Sequence, residues 1–204
     1  MRMLMRHGLT ISIVYSTLAT YDCMKIPFLD LQAQYQSIKQ EVDPAIHAVL
    51  DTSSYILGPA VETFEKEFAA YCNTGHCIGL NSGTAALALL LQAYNIGKGD
   101  EVITVANSFF ASAEAIAEIG ATPVLVDCNP HTALMDTTQI ESVITEKTKA
   151  IIPVHLYGQP ADMDPILAIA KKHGLLVFED ACQAHGATYK GKRTGGLADG
   201  AAFS

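Results

Sequence analysis

What most constrains the fold of this chain is an alternation of two periodicities. Short apolar runs occupy residues 77–80, 101–105, 122–126, 150–156 and 175–178, and another begins at 200–204. Segments with helical spacing fill 34–50, 59–71, 83–94 and 109–119. A further one opens at Asp164-Pro165 and closes at Lys171-Lys172-His173-Gly174. Strands alternating with helices of about 10–15 residues specify βαβ units, and these build a largely parallel sheet. The expected fold is therefore α/β, in one domain from Met24 onward, with no repeat, low-complexity tract or long linker. Local signals agree. Pro59 suits a first helical turn, Ser108 can cap the helix that Gly120 stops, and Asp136 and Gln139 have capping-box spacing. The helix over 83–94 is apolar almost all round, which predicts burial.

The 204 residues are half hydrophobic and 17% charged. A chain of that length can bury roughly 70% of its unfolded surface, enough for one large core. The net charge is −8 and there is no basic run, which argues against nucleic acid and against an anionic membrane surface. An anionic ligand would need local donors. Five cysteines (Cys23, Cys72, Cys77, Cys128 and Cys182) form no C-x-x-C pair. Cys72 and Cys77 flank His76 without a second ligand pair, so no metal site is expected. Reduced thiols in a cytoplasmic protein fit best. At the start, Arg2 and Arg6 precede an apolar stretch over 9–19 that imitates a signal peptide but is too short to span a bilayer. No A-x-A-like site follows, and Met24 opens MKIPFLDL. Residues 1–23 are therefore expected to be an extension outside the fold.

The chemistry concentrates where strands end. Residues 175–187 read LLVFEDACQAHGA, an apolar strand ending in Glu179 and Asp180. Carboxylates there lie at the edge where an α/β sheet meets its ligands. Asn81-Ser82-Gly83-Thr84 joins a strand to a helix. It reads equally as an ordinary cap by Ser82 or as a phosphate cradle of free N–H groups with the Thr84 hydroxyl added. Walker and G-x-G-x-x-G loops are absent, and Gly79-Leu-Asn-Ser82-Gly83 has the wrong spacing for a nucleophile elbow. Phe109, in Ser108-Phe-Phe-Ala-Ser112, reads by itself as core packing, although an aromatic in that turn could cover a planar ring. His155 reads as a satisfied structural histidine. Taken together, a phosphate cradle, an aromatic plate and a buried acid suit a phosphorylated, planar, cationic heterocycle. Pyridoxal 5′-phosphate is such a molecule, and an acid at its ring nitrogen makes it an electron sink.

At this point the residues match a known pattern. IPFLDLQAQY, YILGPAVETFEKEFAAYC, LNSGTAALALLL, GDEVITVANSFFASAEAI, IIPVHLYGQPADMDPI and FEDACQAHGATYKGKRTGGLADGAAFS follow one another in order. From Met24 to Ser204 the chain resembles the N-terminal half of DegT/DnrJ-type nucleotide-sugar aminotransferases, which are fold-type-I pyridoxal-phosphate enzymes. The resemblance implies a three-layer α/β/α large domain with a mostly parallel sheet over 24–204, truncated before the small domain. It implies that Asp180 pairs with the pyridinium nitrogen, Gln183 contacts the ring hydroxyl and Phe109 stacks on the ring. Gly83, Thr84 and Ser204 would hold the phosphate. Tyr55 would lie near the sugar, while His185 would be structural and Glu179 would have no role. The implied substrates are a nucleotide-linked keto sugar and an amino donor, usually glutamate, and the implied assembly is a homodimer.

The resemblance also implies a Schiff-base lysine shortly beyond Ser204, so no catalytic residue is assigned within the chain. Lys190 and Lys192 lie in Tyr189-Lys-Gly-Lys-Arg-Thr-Gly-Gly, which reads as an exposed hairpin turn unsuited to imine formation. The sequence alone therefore predicts an inactive fragment of an aminotransferase. The alternatives are a dehydratase of the same family that uses the amine form of the cofactor, and a non-catalytic fragment that binds a full-length partner.

Overall fold

A computed structural model describes residues 26–204. The extension expected at 1–23 lies outside the described residues. Two compact units divide at Ser53/Ser54. The first is built around helix α1 (Leu31–Thr52), in which Asp30 accepts the Ala33 N–H at 2.8 Å as N-cap. Ser53 ends the helix in the left-handed conformation, φ 51°.

The second unit, Ser54–Ser204, holds helices α2 (Pro59–Cys72) and α3 (Gly83–Ala93), then strand β1 (Glu101–Val105) and helix α4 (Ala111–Glu118). Strands β2 (Thr122–Val126) and β3 (Thr148–Ile152), helix α5 (Met163–His173) and strand β4 (Leu176–Asp180) follow. A small hairpin, β5 (Thr188–Tyr189) and β6 (Lys192–Arg193), precedes β7 (Gly200–Ala202). The main sheet runs β2-β1-β3-β4-β7 with every pairing parallel. The α/β fold with a mostly parallel sheet is thus as the sequence predicts. Pro123 sits in edge strand β2, where its missing N–H breaks no inner ladder.

Successive strand residues point to opposite faces, and the core divides accordingly. On one face Val102, Ala150, Ile152, Phe178 and Ala202 pack with Leu87 and Leu91 of α3 and Ile116 of α4. On the other, Ile103, Val105, Ile151 and Val177 pack with Met163, Ile166 and Ala170 of α5. Inner strands are therefore apolar on both sides, as a sheet covered twice requires.

Several boundaries differ from expectation, each for a physical reason. Residues 77–80 join neither sheet. The Gly79 N–H donates to Glu65 Oε1 at 2.7 Å instead of to a ladder. Strand β3 stops at Ile152 because Pro153 has no N–H, and pairing resumes only as a single bridge between Val154 and Asp180. Helix α3 is buried on one side only: Leu87 and Leu91 are inaccessible, whereas Leu89 is 48% exposed. Helix α4 starts at Ala111 rather than 109, and Ser108 does not cap it; the Ser108 hydroxyl goes to Ser112 Oγ. Asp136 does cap a 3₁₀ turn, accepting the Thr138 N–H at 3.0 Å and the Gln139 side-chain amide at 2.9 Å.

Candidate active site

Strand alternation separates the two acids of β4. Asp180 shares its face with Phe178 and reaches α4, where it accepts the Ser112 hydroxyl on Oδ2 at 2.7 Å. Its Oδ1 accepts the Cys182 N–H at 3.3 Å. The strand end is held by backbone bonds to the β3 side, Asp180 N–H to Pro153 O at 2.9 Å and His155 N–H to Asp180 O at 3.0 Å. Asp180 is buried, and so is Ser112. The neighbouring Cys182 thiol is pushed well above the usual thiol range, by burial first and by the Asp180 carboxylate second. It therefore stays neutral beside Asp180.

The loop before α3 closes over the same end of β4 and β7. Ser82 caps the helix, its Oγ accepting the Ala85 N–H at 3.1 Å, and the Ala86 N–H goes to Ser82 O. This spends the third and fourth N–H groups and leaves those of Gly83 and Thr84 as the helix's open donors. The cap and cradle readings of this loop are therefore compatible. Gly83 is buried among Cys182, Phe203 and Ser204. A Cβ on it would stand 2.6 Å from Cys182 Sγ and 3.0 Å from Ser204 Cβ, so only glycine fits. Sequence-distant Gly83, Cys182 and Ser204 thus meet at one point.

Two more expected residues flank this point. Phe109 is 73% exposed, which overturns a core-packing role and leaves its ring face open. It is tied to Asp180 through Ser112, whose N–H donates to Phe109 O at 3.2 Å and whose hydroxyl reaches the acid. Gln183 follows Asp180 by three residues. Its Oε1 accepts the Tyr157 N–H at 2.8 Å, so the Nε2 hydrogens remain as donors. Tyr157 holds φ 57°, an uncommon conformation for a bulky residue, and its ring is 82% exposed. Tyr55 is exposed, and His185 lies against the Phe203 ring, centroids 5.1 Å apart. Lys190 and Lys192 form the hairpin the sequence predicts: Lys190 and Gly191 both have positive φ, and the Lys190 ammonium pairs with Asp164. That hydrogen bond raises the lysine's pKa and keeps it protonated.

Glu179 points the other way and is fully buried. It accepts three donors: His155 Nε2 at 3.0 Å, the Gly195 N–H at 2.9 Å and the Leu197 N–H at 2.8 Å. His155 Nδ1 meets the Ala161 N–H at 3.0 Å, and since an amide can only donate, Nδ1 accepts and Nε2 carries the hydrogen. His155 is thus a satisfied, neutral structural histidine. Glu179, given no role from the sequence, ties the loop after β3 to the loop before β7. Ser112, Glu179 and Tyr157 are the residues sequence reasoning missed. Of these, the facing of Glu179 was recoverable by counting in twos from Val177, which puts it opposite Asp180.

The residues present fit a phosphorylated pyridinium ring. A buried carboxylate with fixed donors, two open helix N–H groups, a glycine that admits no side chain, an exposed phenyl ring and an amide donor share one sheet edge. Among the described residues, no group of three or more His, Cys, Asp or Glu could hold a metal ion, and no helix is long and apolar enough to cross a membrane.

Comparison with known proteins gives this arrangement a family. Residues 36–204 match the DegT/DnrJ/EryC1/StrS aminotransferase family. The chain is 50% identical over 180 residues to dTDP-3-amino-3,4,6-trideoxy-alpha-D-glucose transaminase of Streptomyces venezuelae, covering 88% of this chain and 48% of that protein. It is 51% identical over 179 residues to dTDP-3-amino-3,6-dideoxy-alpha-D-galactopyranose transaminase of Aneurinibacillus thermoaerophilus, covering 88% and 49%. Among solved structures, S. venezuelae DesV in complex with ketimine intermediate matches with a TM-score of 0.84 at 50% identity, over 88% of this chain and 48% of that one. NtdA of Bacillus subtilis with bound cofactor PMP matches with a TM-score of 0.79 at 40% identity, over 84% and 40%. The chain spans about half the length of the curated relatives it matches.

Proposed function

The chain belongs to the DegT/DnrJ/EryC1/StrS aminotransferase family, and from this we propose that it is the cofactor-holding portion of a pyridoxal-phosphate-dependent aminotransferase of nucleotide-linked keto sugars. The observation that carries the proposal is the buried Asp180 carboxylate, fixed by Ser112 and the Cys182 N–H at the sheet edge where Gly83 and Ser204 meet. Bound there, the cofactor supplies the electron sink that amino transfer requires. The protein's part is to hold it in the right state. Asp180 keeps a proton on the ring nitrogen, because an ionised carboxylate favours the cationic partner. The open N–H groups of Gly83 and Thr84 donate to the phosphate, with the Thr84 and Ser204 hydroxyls as further donors. Gln183 Nε2 donates to the ring oxygen, its orientation set by the Tyr157 N–H. Phe109 covers one ring face, excluding water from it.

The substrate class rests on relatives named as transaminases and synthases of dTDP-, UDP- and GDP-linked sugars. Because the nucleotide differs among them, the class is proposed and the individual sugar is not. Glutamate as amino donor and a homodimeric assembly complete the proposal.

Pyridoxamine 5′-phosphate is the direct probe, because its binding requires no covalent bond to the protein. Titration of the full chain, followed by cofactor fluorescence, should saturate at one site, and Asp180→Asn should weaken binding about tenfold or more. Equal binding by chain and variant would remove Asp180 from the site and sink the proposal. Amination of a nucleotide-linked keto sugar with glutamate, read by mass spectrometry, tests the reaction itself.

A further inference from the structure

The hydroxyl that holds Asp180 is itself bonded to a second hydroxyl. Ser112 Oγ lies 2.7 Å from Asp180 Oδ2, and Ser108 Oγ lies 2.7 Å from Ser112 Oγ. The direction of this chain is fixed by its end. A carboxylate accepts, so Ser112 donates its hydrogen to Asp180, and the Ser112 oxygen is then free to accept from Ser108. Each hydroxyl that donates onward becomes a better acceptor behind, so the two bonds reinforce each other away from bulk water. Ser112 is 1% exposed and Asp180 6%, while Ser108 is only half-buried. The relay therefore runs from the solvent side, beside exposed Phe109, to the buried acid.

From this geometry we infer that Ser112, backed by Ser108, is a positioning residue. The pair holds the Asp180 carboxylate aimed so that it can keep a proton on a pyridinium nitrogen. The inference rests on the proposed cofactor role of Asp180. Among the described residues Ser112 supplies the hydroxyl at Oδ2: the Cys182 N–H is at Oδ1, the protonated Cys182 thiol is a weaker donor that also faces Ala202 O at 3.8 Å, and Glu179 and His155 bond to each other on the opposite face. The i to i+4 spacing of the two serines is local. Phe110, already in the right-handed helical conformation, stands at the N-cap position of α4, and the Ser108 hydroxyl bonds to Ser112 Oγ in the first turn instead of capping the helix.

The test separates a relay to the ring nitrogen from general support of the fold. Pyridoxamine 5′-phosphate is titrated into the full chain and into Ser112→Ala and Ser108→Ala. The titrations are repeated with a carbocyclic analogue whose ring nitrogen is replaced by C–H. Ser112→Ala should weaken pyridoxamine phosphate about tenfold, as loss of a hydrogen bond to a charged group does, and leave the analogue unchanged. Ser108→Ala, at a half-buried position that perturbs folding little, should give about a two- to threefold loss with the same selectivity. Equal losses on both ligands, or no loss with either variant, would overturn the relay while leaving the site standing. Failure of the unsubstituted chain to bind pyridoxamine phosphate would overturn the cofactor reading and the relay together.

Discussion

Glu179 and Asp180 carry the same charge, adjoin in sequence and are both buried, yet they do opposite work. Asp180 keeps a carboxylate directed to the face where ligand donors gather. Glu179 has both oxygens filled by three protein donors, so nothing remains for a ligand. Glu179→Gln places a side-chain NH₂ where only an acceptor fits. With Leu197 N–H on one side and Gly195 N–H and His155 Nε2–H on the other, a donor must face a donor. The variant should lose about 3 kcal/mol of stability in urea unfolding. An unchanged midpoint would show that the buried carboxylate holds nothing together. Gly83 makes a different prediction. Gly83→Ala puts a methyl group against Cys182 Sγ and should cost about 1–3 kcal/mol and weaken phosphate binding. Adding Cys182→Ala removes the nearest obstructing atom and should restore most of the stability, a coupling that a double-mutant cycle measures directly. These contacts mark the limit of sequence reading at this scale. Asp180 and Gly83 were singled out by motif. Ser112 was not, because its partner lies 68 residues away and nothing local records that distance.

At the scale of elements, most strands and helices were legible because their signals are local. β1 and β2 fall at the predicted residues, and α5 ends where Gly174 takes a positive φ after Lys171, Lys172 and His173. Failures occurred where a long-range partner decides. Residues 77–80 look like a strand, but a strand requires a ladder, and the Gly79 N–H goes to Glu65. The α4 start was misplaced because a serine ahead of an apolar run resembles a cap, whereas Ser108 bonds to another side chain. Asp136 is a cap whose charge matters. Its pKa is lowered by the Thr138 hydroxyl first, then by the Thr138 N–H and the Gln139 amide. A carboxyl depressed in the folded state contributes stability above its unfolded pKa of about 3.9 and loses it as pH falls through the folded value. The stability difference between the chain and Asp136→Ala should therefore be largest near neutrality and shrink in acid below about pH 4. Urea midpoints at several pH values would show this. A constant difference would mean that the charge does not matter there.

For the molecule as a whole, the parallel sheet with a core on each face explains why the site lies at the strand ends. With both faces covered by α3, α4 and α5, ligand access is left to the edge where β1, β3, β4 and β7 hand over to their loops. Composition and alternation revealed that architecture. They did not reveal which loops converge, since strand order is not written in any one segment: β4 pairs with β7 across a hairpin, and β1 sits between β2 and β3.

The opposite facing of Glu179 and Asp180 makes the functional identity of this sheet edge a question of parity. A deletion or insertion of one residue within β4 would exchange the two acids between faces at no change in composition or charge, leaving the loops before β7 without their acceptor and Ser112 facing the wrong carboxylate. A two-residue change would preserve the facing but shift both acids by a full pleat. Lineages carrying this strand should therefore vary in length freely at the Lys190-Gly191 turn and almost never between Leu176 and Asp180.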